Sequence, residues 1–186
     1  MKVVQNSENK SEMLVLSFSK SSYLSNFYKS TFTVHGIKFT SMEQFFHYSK
    51  AFIFKDYASM QSILRTDEPN RQKAIGRKVK NYDDSTWSDK CYMIMIEGLY
   101  AKFSQNDTLK KNLLSIPNAR FVEASPYDKK WGIGLNINHR DVSKPSKWPG
   151  QNMLGEALME VRDDLNVKQS TSWIIRINSL PSEVMK

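Results

Sequence analysis

The sequence is poor in the residues that build disulfides and thiolate metal sites. Among its 186 residues there is one cysteine, Cys91, and the three histidines are far apart along the chain. An internal disulfide is therefore excluded, as is a zinc site built from several thiolates. A structural zinc site is not expected.

Long apolar runs and the common nucleotide and hydrolase motifs are also absent. No segment approaches the ~20 apolar residues of a transmembrane helix, and the first residues lack the apolar run of a secretory signal. There is no P-loop, no H-E-x-x-H and no G-x-S-x-G, and the pattern begun by Gly132 and Gly134 fails as a dinucleotide motif at Ile137. We therefore expect a soluble, cytoplasmic protein.

The composition is typical of one globular domain. Apolar residues make up 40% of the chain, and the 12% of aromatic residues can supply a core and an aromatic-lined pocket. The net charge is +8 and the isoelectric point is near 9.5. This excess of positive charge favours an anionic partner, namely a nucleic acid, a nucleotide, a phosphorylated metabolite or an acidic membrane.

The apolar pattern predicts a mixture of helices and strands. We expect a mobile arm over 1–12, a domain over 13–167 and a tail over 168–186 that is an extra strand or a flexible appendage. Strands are predicted over 13–19 and 119–125, with a hairpin over 32–40 that turns at His35 and Gly36. Helices are predicted over 42–54, 55–65, from Pro69 onward, 86–103, 106–116 and 151–165.

The order of these elements decides the fold class. Strands and helices do not alternate regularly, so we predict an α+β fold, a single helix-rich domain with a small antiparallel sheet. The helix that starts near Met42 has capping candidates in Thr40 and Ser41, with Glu43 and Gln44 at capping-box spacing.

That helix carries the first group of residues that can perform chemistry. Glu43, His47 and Lys50 share one helix face, whereas Phe45, Tyr48 and Phe52 lie on other faces. The simplest interpretation is a solvated face on which the helix dipole favours Glu43. The surrounding aromatic residues argue against full exposure.

The second group is basic. Residues 71–80 hold the densest cluster of Lys and Arg in the chain, and Arg77 presents a planar group that suits phosphate oxygens. A solvated surface is the simpler interpretation of such a run. Trp87, just beyond it, is either a core residue or a platform on which a base stacks.

The third group lies in a loop of about 25 residues over 126–150, a length that is usually functional or disordered. The loop holds three aromatic residues, and its glycines beside Trp131 allow a ligand to approach the backbone. At its end, over 150–155, the free N–H groups of a helix start can meet an anion. The three aromatic residues are Tyr127, Trp131 and Trp148.

Six of these segments, in this order, resemble the NADAR family. They are YLSNF (23–27), TSMEQFFHYSKA (40–51), AIGR (74–77), Trp87, EASPYDKKWGIG (123–134) and GQNMLGEALMEVR (150–162). Each segment alone is a weak signal, but six at plausible spacing are specific. The resemblance covers roughly residues 14–165.

The resemblance implies an α+β domain that cleaves an N-glycosidic bond to a phosphorylated ribose. Family substrates include early riboflavin-pathway intermediates and guanine bases modified with ADP-ribose. One departure matters, because the type member has Asp after the Trp-Gly pair and this chain has Ile133. The riboflavin-intermediate activity is therefore less safely transferred than the N-glycosidase chemistry.

The family pattern also assigns residues. Catalytic roles fall on Glu43, Asp128 and Lys50, and a carboxylate beside the anomeric carbon stabilises the cationic transition state. Lys50 can hold Glu43 ionised, contact a phosphate or, as a rarer option, form an imine. Neither a metal nor a cofactor is required. The predicted substrate-binding residues are Asn26, Phe27, Trp87, Trp131, Gly132 and Asn152, and the closing motif also includes Gly150, Leu154 and Gly155. Arg77, chosen from the basic run, is the candidate for binding phosphate.

Two alternatives remain open. The positive charge with interleaved aromatic residues also fits a nucleic-acid-binding protein without catalysis, and a non-catalytic sensor of ADP-ribose or a related nucleotide fits the family pattern. Glu43 separates them, because a pure nucleic-acid binder gains nothing from an acidic pocket residue. The expected partner is a small phosphorylated riboside or ADP-ribose-type molecule, or ADP-ribosylated nucleic acid, with no membrane.

Overall fold

The structure, a computed structural model, describes residues 1–167. That part of the chain has six α-helices, one short 3₁₀ helix (Pro145–Lys147) and five strands. The predicted strand or appendage over 168–186 lies outside the described residues. The helices are α1 (Met42–Ile53), α2 (Tyr57–Leu64), α3 (Pro69–Gly76), α4 (Asp84–Ser104), α5 (Asp107–Leu114) and α6 (Met153–Asn166). The strands are β1 (Lys2–Gln5), β2 (Met13–Ser17), β3 (Phe32–Val34), β4 (Ile37–Phe39) and β5 (Ala119–Glu123). The predicted α+β class is confirmed.

Three strands form one sheet in the order β1-β2-β5. The prediction of a mobile arm over 1–12 is wrong for its first part, because β1 pairs antiparallel with β2 and sets Val3 opposite Val15. Without β1, one edge of β2 would carry unpaired backbone groups. The expectation of an antiparallel sheet is also wrong in part, because β5 pairs parallel to β2, with Phe121 beside Val15.

The hairpin of β3 and β4 is confirmed. His35 and Gly36 have φ values of 48° and 77°, the left-handed conformation that a two-residue turn between twisted strands requires. The start of α1 is confirmed as well, since the Ser41 hydroxyl accepts a hydrogen bond of 3.1 Å from the backbone N–H of Gln44. Ser41 is fully buried, so this cap lies in the interior.

Two apolar clusters lie on opposite faces of β5, because successive side chains of a strand alternate between faces. Ala119 and Phe121 belong to the main core with residues of α1, α4 and α6, whereas Val122 belongs to a smaller cluster. The long loop supplies Ile133 and Val142 to that smaller cluster. Much of the loop is therefore structural.

Trp148 has a packing role. It packs against the smaller cluster, and its indole N–H donates to the carbonyl of Val142 at 3.0 Å. Ile133 is fully buried in the same cluster, which explains why this chain has an apolar residue where the type member of the family has Asp. An apolar side chain there packs under the sheet.

Candidate active site

The candidate site lies where β2 and β5 end. Because these strands are parallel, their carboxyl ends lie at the same edge of the sheet, a common place for binding loops. The segment after β2 leads to Asn26 and Phe27, and the segment after β5 leads to Asp128 and Trp131. Helix α1 joins the two segments, as the contacts below show.

Glu43 is a buried carboxylate fixed from two sides. It is only 5% exposed, so the interpretation of a solvated face is wrong. Its Oε1 lies 3.1 Å from Nε2 of His47, one turn further along α1. Its backbone N–H donates to the carbonyl of Asn26 at 3.0 Å, which fixes the position of the Asn26–Phe27 segment against the start of α1.

The hydrogen bonds of His47 indicate which ring nitrogen carries the proton in the neutral form. Its Nδ1 is buried and has no hydrogen-bond partner among the described residues. We assign the proton of the neutral ring to Nε2, which then donates to Glu43, because an unpaired N–H donor would cost more. His47 was placed on this face by its spacing, but its role as the partner of Glu43 was not predicted.

Helix α3 packs directly behind His47 at Gly76. A Cβ atom built on Gly76 would lie 2.0 Å from Nδ1 of His47. Only glycine permits this approach, so α3 packs directly against His47 on the side of its Nδ1.

An aromatic group connects α1 to the rest of the site. Phe46 contacts Trp87 and Trp131 edge-to-face, with ring centroids 5.0 Å and 5.4 Å apart. Trp87 is 7% exposed and Trp131 is half-buried. The structure therefore brings together two tryptophans that the sequence separates by 44 residues.

Lys50 lies next to this aromatic group. Its Nζ is 4.0 Å from the ring centroid of Tyr82 and 5.8 Å from that of Trp87. Burial lowers the pKa of Lys50, and the charge of Asp84 opposes that change. Seven residues of helix separate Lys50 from Glu43 by about 10 Å along the axis, so direct pairing with Glu43 is not part of this arrangement.

Asp128 shapes the loop after β5. Its Oδ1 accepts hydrogen bonds from the backbone N–H groups of Lys130 and Trp131, at 2.9 Å and 2.8 Å. This pattern is typical of an aspartate that stabilises a turn. It holds Trp131 in place, and the catalytic role of Asp128 stays a prediction.

The start of α6 does not offer free N–H groups to an anion. The N–H groups of the four residues over 151–154 donate to carbonyls of the loop over 129–132, at 2.8–3.2 Å. The expectation of an anion site at this helix start is therefore wrong, because the loop itself caps the helix. Gly132, predicted to bind substrate, is buried and accepts one of these bonds from Asn152.

Asn152 fastens α6 to β5. Its side chain accepts from the N–H of Glu123 at 3.0 Å and donates to the carbonyl of Phe121 at 2.8 Å. Gly155 permits this contact, because a Cβ there would lie 2.1 Å from the same Phe121 carbonyl. Asn152 thus positions the end of β5. Its contact with substrate stays a prediction.

Glu123 is the last residue of β5, and its N–H donates to Asn152. It was not among the residues predicted from the sequence. Burial and the charge of Asp128 raise the pKa of Glu123 to about 7, while Lys73 opposes that change. Glu123 belongs to the EASPYD segment of the family pattern. The sequence does not indicate that the charges of Lys73 and Asp128 act on it.

Basic side chains surround Phe27. The Nζ atoms of Lys20 and Lys73 lie 5.5 Å and 5.4 Å from its ring centroid. Arg77 is exposed at the end of α3, where its backbone N–H donates to the carbonyl of Lys73 at 3.0 Å. Within residues 1–167, its side chain makes no hydrogen bond, ion pair or ring contact with this group. The structure therefore brings together most of the predicted residues but leaves Arg77 outside the contacts above.

An apolar cavity of about 380 Å³ lies elsewhere on α1. Phe45, Tyr48 and Phe52 line it, which confirms that they face away from Glu43. None of the predicted site residues lines this cavity.

In the described part of the chain, no group of three or more His, Cys, Asp and Glu side chains is placed to hold a metal ion. No helix over residues 1–167 is long and apolar enough to span a membrane.

The family model of the NADAR domain matches residues 12–166. The chain belongs to the NADAR family. N-glycosidase R617 of Acanthamoeba polyphaga mimivirus is 39% identical over 127 residues, which are 68% of this chain and 75% of the viral protein. Protein irg-1 of Caenorhabditis elegans is 34% identical over 179 residues, 88% of this chain and 84% of that protein.

A solved structure shares the fold. The NMR structure of Escherichia coli YbiA matches with a TM-score of 0.69 and 27% identity, over 89% of each chain. The name N-glycosidase among NADAR relatives agrees with the hydrolase expected from the sequence.

Proposed function

We propose that this protein hydrolyses the N-glycosidic bond of a phosphorylated riboside. The substrate class is a riboflavin-pathway intermediate or an adduct derived from ADP-ribose, such as ADP-ribosylated guanine. The observation that carries the proposal is the buried Glu43 carboxylate, 3.1 Å from His47, on the same helix face as an aromatic group. N-glycosidase activity in NADAR relatives supports it.

Cleavage of a ribosyl C–N bond places positive charge on the anomeric carbon and the ring oxygen. A fixed carboxylate next to that carbon stabilises this charge and orients the attacking water. Glu43 meets the requirement, because His47 and the carbonyl of Asn26 hold it in place. A carboxylate that is already oriented does not have to reorganise during the reaction.

The aromatic group supplies the binding surface for the base and the ribose. In this proposal Trp131 stacks on one of them. Phe46 packs against Trp131, and Trp87 packs against Phe46. The edge-to-face contacts of Phe46 with Trp87 and Trp131, at 5.0 Å and 5.4 Å, stabilise this aromatic group. Lys50 supplies positive charge next to Trp87, at the end of the aromatic group away from Trp131.

Substrate turnover tests the proposal directly. Purified protein is incubated with a panel of phosphorylated N-ribosides, and mass spectrometry measures free base and ribose phosphate. Release of both products from at least one riboside is the expected result. Tight binding of ADP-ribose without any release of base would instead support the non-catalytic sensor.

Trp131→Ala is expected to weaken substrate binding more than it weakens the fold. Loss of one base-stacking surface costs roughly 1–3 kcal/mol, so KM should rise on the order of 10-fold. The matched control is Trp148→Ala, because Trp148 packs in the smaller cluster. The control should lower Tm with little change in KM. A fall in Tm for Trp131→Ala with unchanged KM would assign Trp131 to the core instead.

Lys73 and Arg77 are the candidates for the phosphate. Charge-assisted hydrogen bonds contribute roughly 1.5–3 kcal/mol, so Lys73→Ala should raise KM at least ~10-fold for a phosphorylated riboside. The same change should matter little for the dephosphorylated riboside, and Lys10→Ala, at an exposed residue, is the control. If Arg77→Ala alone raises KM, the phosphate contact belongs to Arg77, as the sequence predicts.

A further inference from the structure

We propose that Glu123 is the acid that donates a proton to the departing base. This inference rests on the proposed N-glycosidase function and adds a second carboxyl group to it, from a different element of the fold. Glu43 comes from α1, whereas Glu123 comes from the end of β5.

The direction of the Glu123 side chain follows from strand geometry. Side chains two residues apart in a strand share a face, so Glu123 lies on the face of Ala119 and Phe121. Both of those residues belong to the main core, which also contains Phe46 and Trp87. Glu123 is therefore on the face of the sheet that packs against α6 and the main core, where that face ends.

The backbone of Glu123 is fixed on both sides. Its N–H donates to Asn152 at 3.0 Å, and its carbonyl accepts from the N–H of Ile133 at 2.9 Å. These bonds fix the point from which the Glu123 side chain extends, and a proton donor has to be positioned relative to its acceptor.

Two routes of contact lead from Glu123 to Glu43. The charge of Lys73 acts to lower the pKa of Glu123. Nζ of Lys73 lies 5.4 Å from the ring centroid of Phe27, and the carbonyl of the neighbouring Asn26 accepts from the N–H of Glu43. Asp128 binds the N–H of Trp131, which contacts Phe46 of α1. Glu43 is linked to the same aromatic group through His47, whose ring centroid lies 5.8 Å from that of Phe46. Both glutamates are thus connected to this group, one from β5 and the other from α1.

The charges around the two carboxyl groups separate their roles. Asp128 faces Glu123 with like charge, and Lys73 on α3 is the opposing cation. Burial and Asp128 together raise the pKa of Glu123 to about 7, so a large fraction carries a proton at neutral pH. Glu43 instead has a hydrogen-bond donor in His47. Two carboxyl groups in such different environments are suited to acid and base roles.

The reaction balances as a simple hydrolysis. The carboxyl proton of Glu123 moves to the nitrogen of the base, and the electron pair of the C–N bond leaves with the base. Water adds its oxygen to the anomeric carbon and gives a proton to the Glu43 carboxylate. Exchange with solvent then returns a proton to Glu123 and removes one from Glu43, so base and ribose phosphate are the products.

The first test is a measurement of protonation that needs no substrate. Carbon-13 NMR of labelled glutamate, assigned by the loss of one signal in Glu123→Gln, follows the Glu123 carboxyl through a pH titration. We expect its midpoint to fall in Asp128→Asn, where the amide oxygen can still accept the two backbone hydrogen bonds. The midpoint should rise in Lys73→Met. A Glu123 carboxyl that titrates at the ordinary value of a glutamate, near 4, overturns the proposal.

The second test is the pH profile of turnover. Wild-type kcat should fall as pH rises above about 7, because ionised Glu123 has no proton to donate. Glu123→Gln should lower kcat about 10²- to 10⁴-fold and remove this alkaline limb. The control is Glu156→Gln, an exposed glutamate on α6 that should leave kcat and the profile unchanged.

The outcomes separate this inference from the proposed function. A wild-type protein that cleaves no N-riboside contradicts the proposed function and removes the basis of the inference. An active wild type with an equally active Glu123→Gln variant and the same alkaline limb overturns the inference alone. If Glu123→Gln fails to fold, Glu123→Asp replaces it: lower kcat with a retained alkaline limb supports the proton donor, and unchanged kcat overturns it.

Discussion

Glu43→Gln is expected to keep the fold and to lower kcat at least ~10²-fold. The amide has the shape of the carboxylate, and its oxygen can still accept the hydrogen bond that His47 donates at 3.1 Å. What the substitution removes is the negative charge that stabilises the cationic transition state. KM should change much less than kcat, because the stacking surfaces stay in place.

The comparison with Glu156→Gln separates this effect from a general effect of lost charge. Tm of both variants should stay close to that of the wild type, and a collapse of Tm in Glu43→Gln would show that the Glu43–His47 pair is mainly structural. If Glu43→Gln turns over substrate like the wild type, Glu43 is not the catalytic carboxylate. Asp128 would then be the first candidate, as the sequence analysis allows.

Local signals in the sequence were sufficient for most of the elements. The hairpin follows from His35 and Gly36, which adopt the left-handed conformation of a two-residue turn. The start of α1 follows from Ser41, whose side chain caps the helix. Turn and cap chemistry depends on neighbours a few residues apart, so it is visible without knowledge of the tertiary fold.

Features that depend on distant partners were not predictable in the same way. β1 has only two apolar residues, Val3 and Val4, between Lys2 and Gln5. Its pairing with β2 is decided by the free edge of that strand. The N–H groups at the start of α6 were expected to be free, but carbonyls over 129–132 occupy them. Both errors arose because backbone hydrogen bonds do not depend on the side chains that a sequence pattern shows.

In the candidate site, too, features set by local spacing were predicted, and features set by distant residues were not. The face that carries Glu43 and Lys50 follows from helical spacing, and the motif order selected Trp87 and Trp131. The environment of Glu123 could not be read in this way, because Lys73 and Asp128 face it from different elements. Arg77 was chosen from a basic run, and the fold leaves its side chain exposed.

The free energy of unfolding is expected to rise with pH between about 7 and 9.5, and Lys102 is the cause. Lys102 is fully buried in α4, where its Nζ donates to the carbonyls of Tyr23 and Ser25 at 2.7 Å and 3.0 Å. Burial lowers the pKa of Lys102 to about 7. These bonds hold the turn before Asn26, so the stability effect concerns a segment of the candidate site.

The sign follows from proton binding. Above pH 7 the folded protein releases the Lys102 proton, while the unfolded chain keeps it up to a pKa near 10.5. The unfolded state then binds more protons, so rising pH favours the folded state. The neutral amine keeps two N–H groups, enough for both carbonyls. The full effect is on the order of 3–5 kcal/mol, and roughly two thirds of it falls below pH 9.5.

Urea unfolding at a series of pH values measures this slope. Lys102→Met should flatten the rise between pH 7 and 9.5, whereas Lys111→Gln, at an exposed lysine of α5, should leave it unchanged. The range stops below pH 10, because Tyr82 and Tyr92 have pKa values raised to about 12 and their ionisation on unfolding lowers stability at higher pH. An equal slope in wild type and Lys102→Met would show that Lys102 keeps its proton in the folded protein and that its charge is balanced by the two carbonyls.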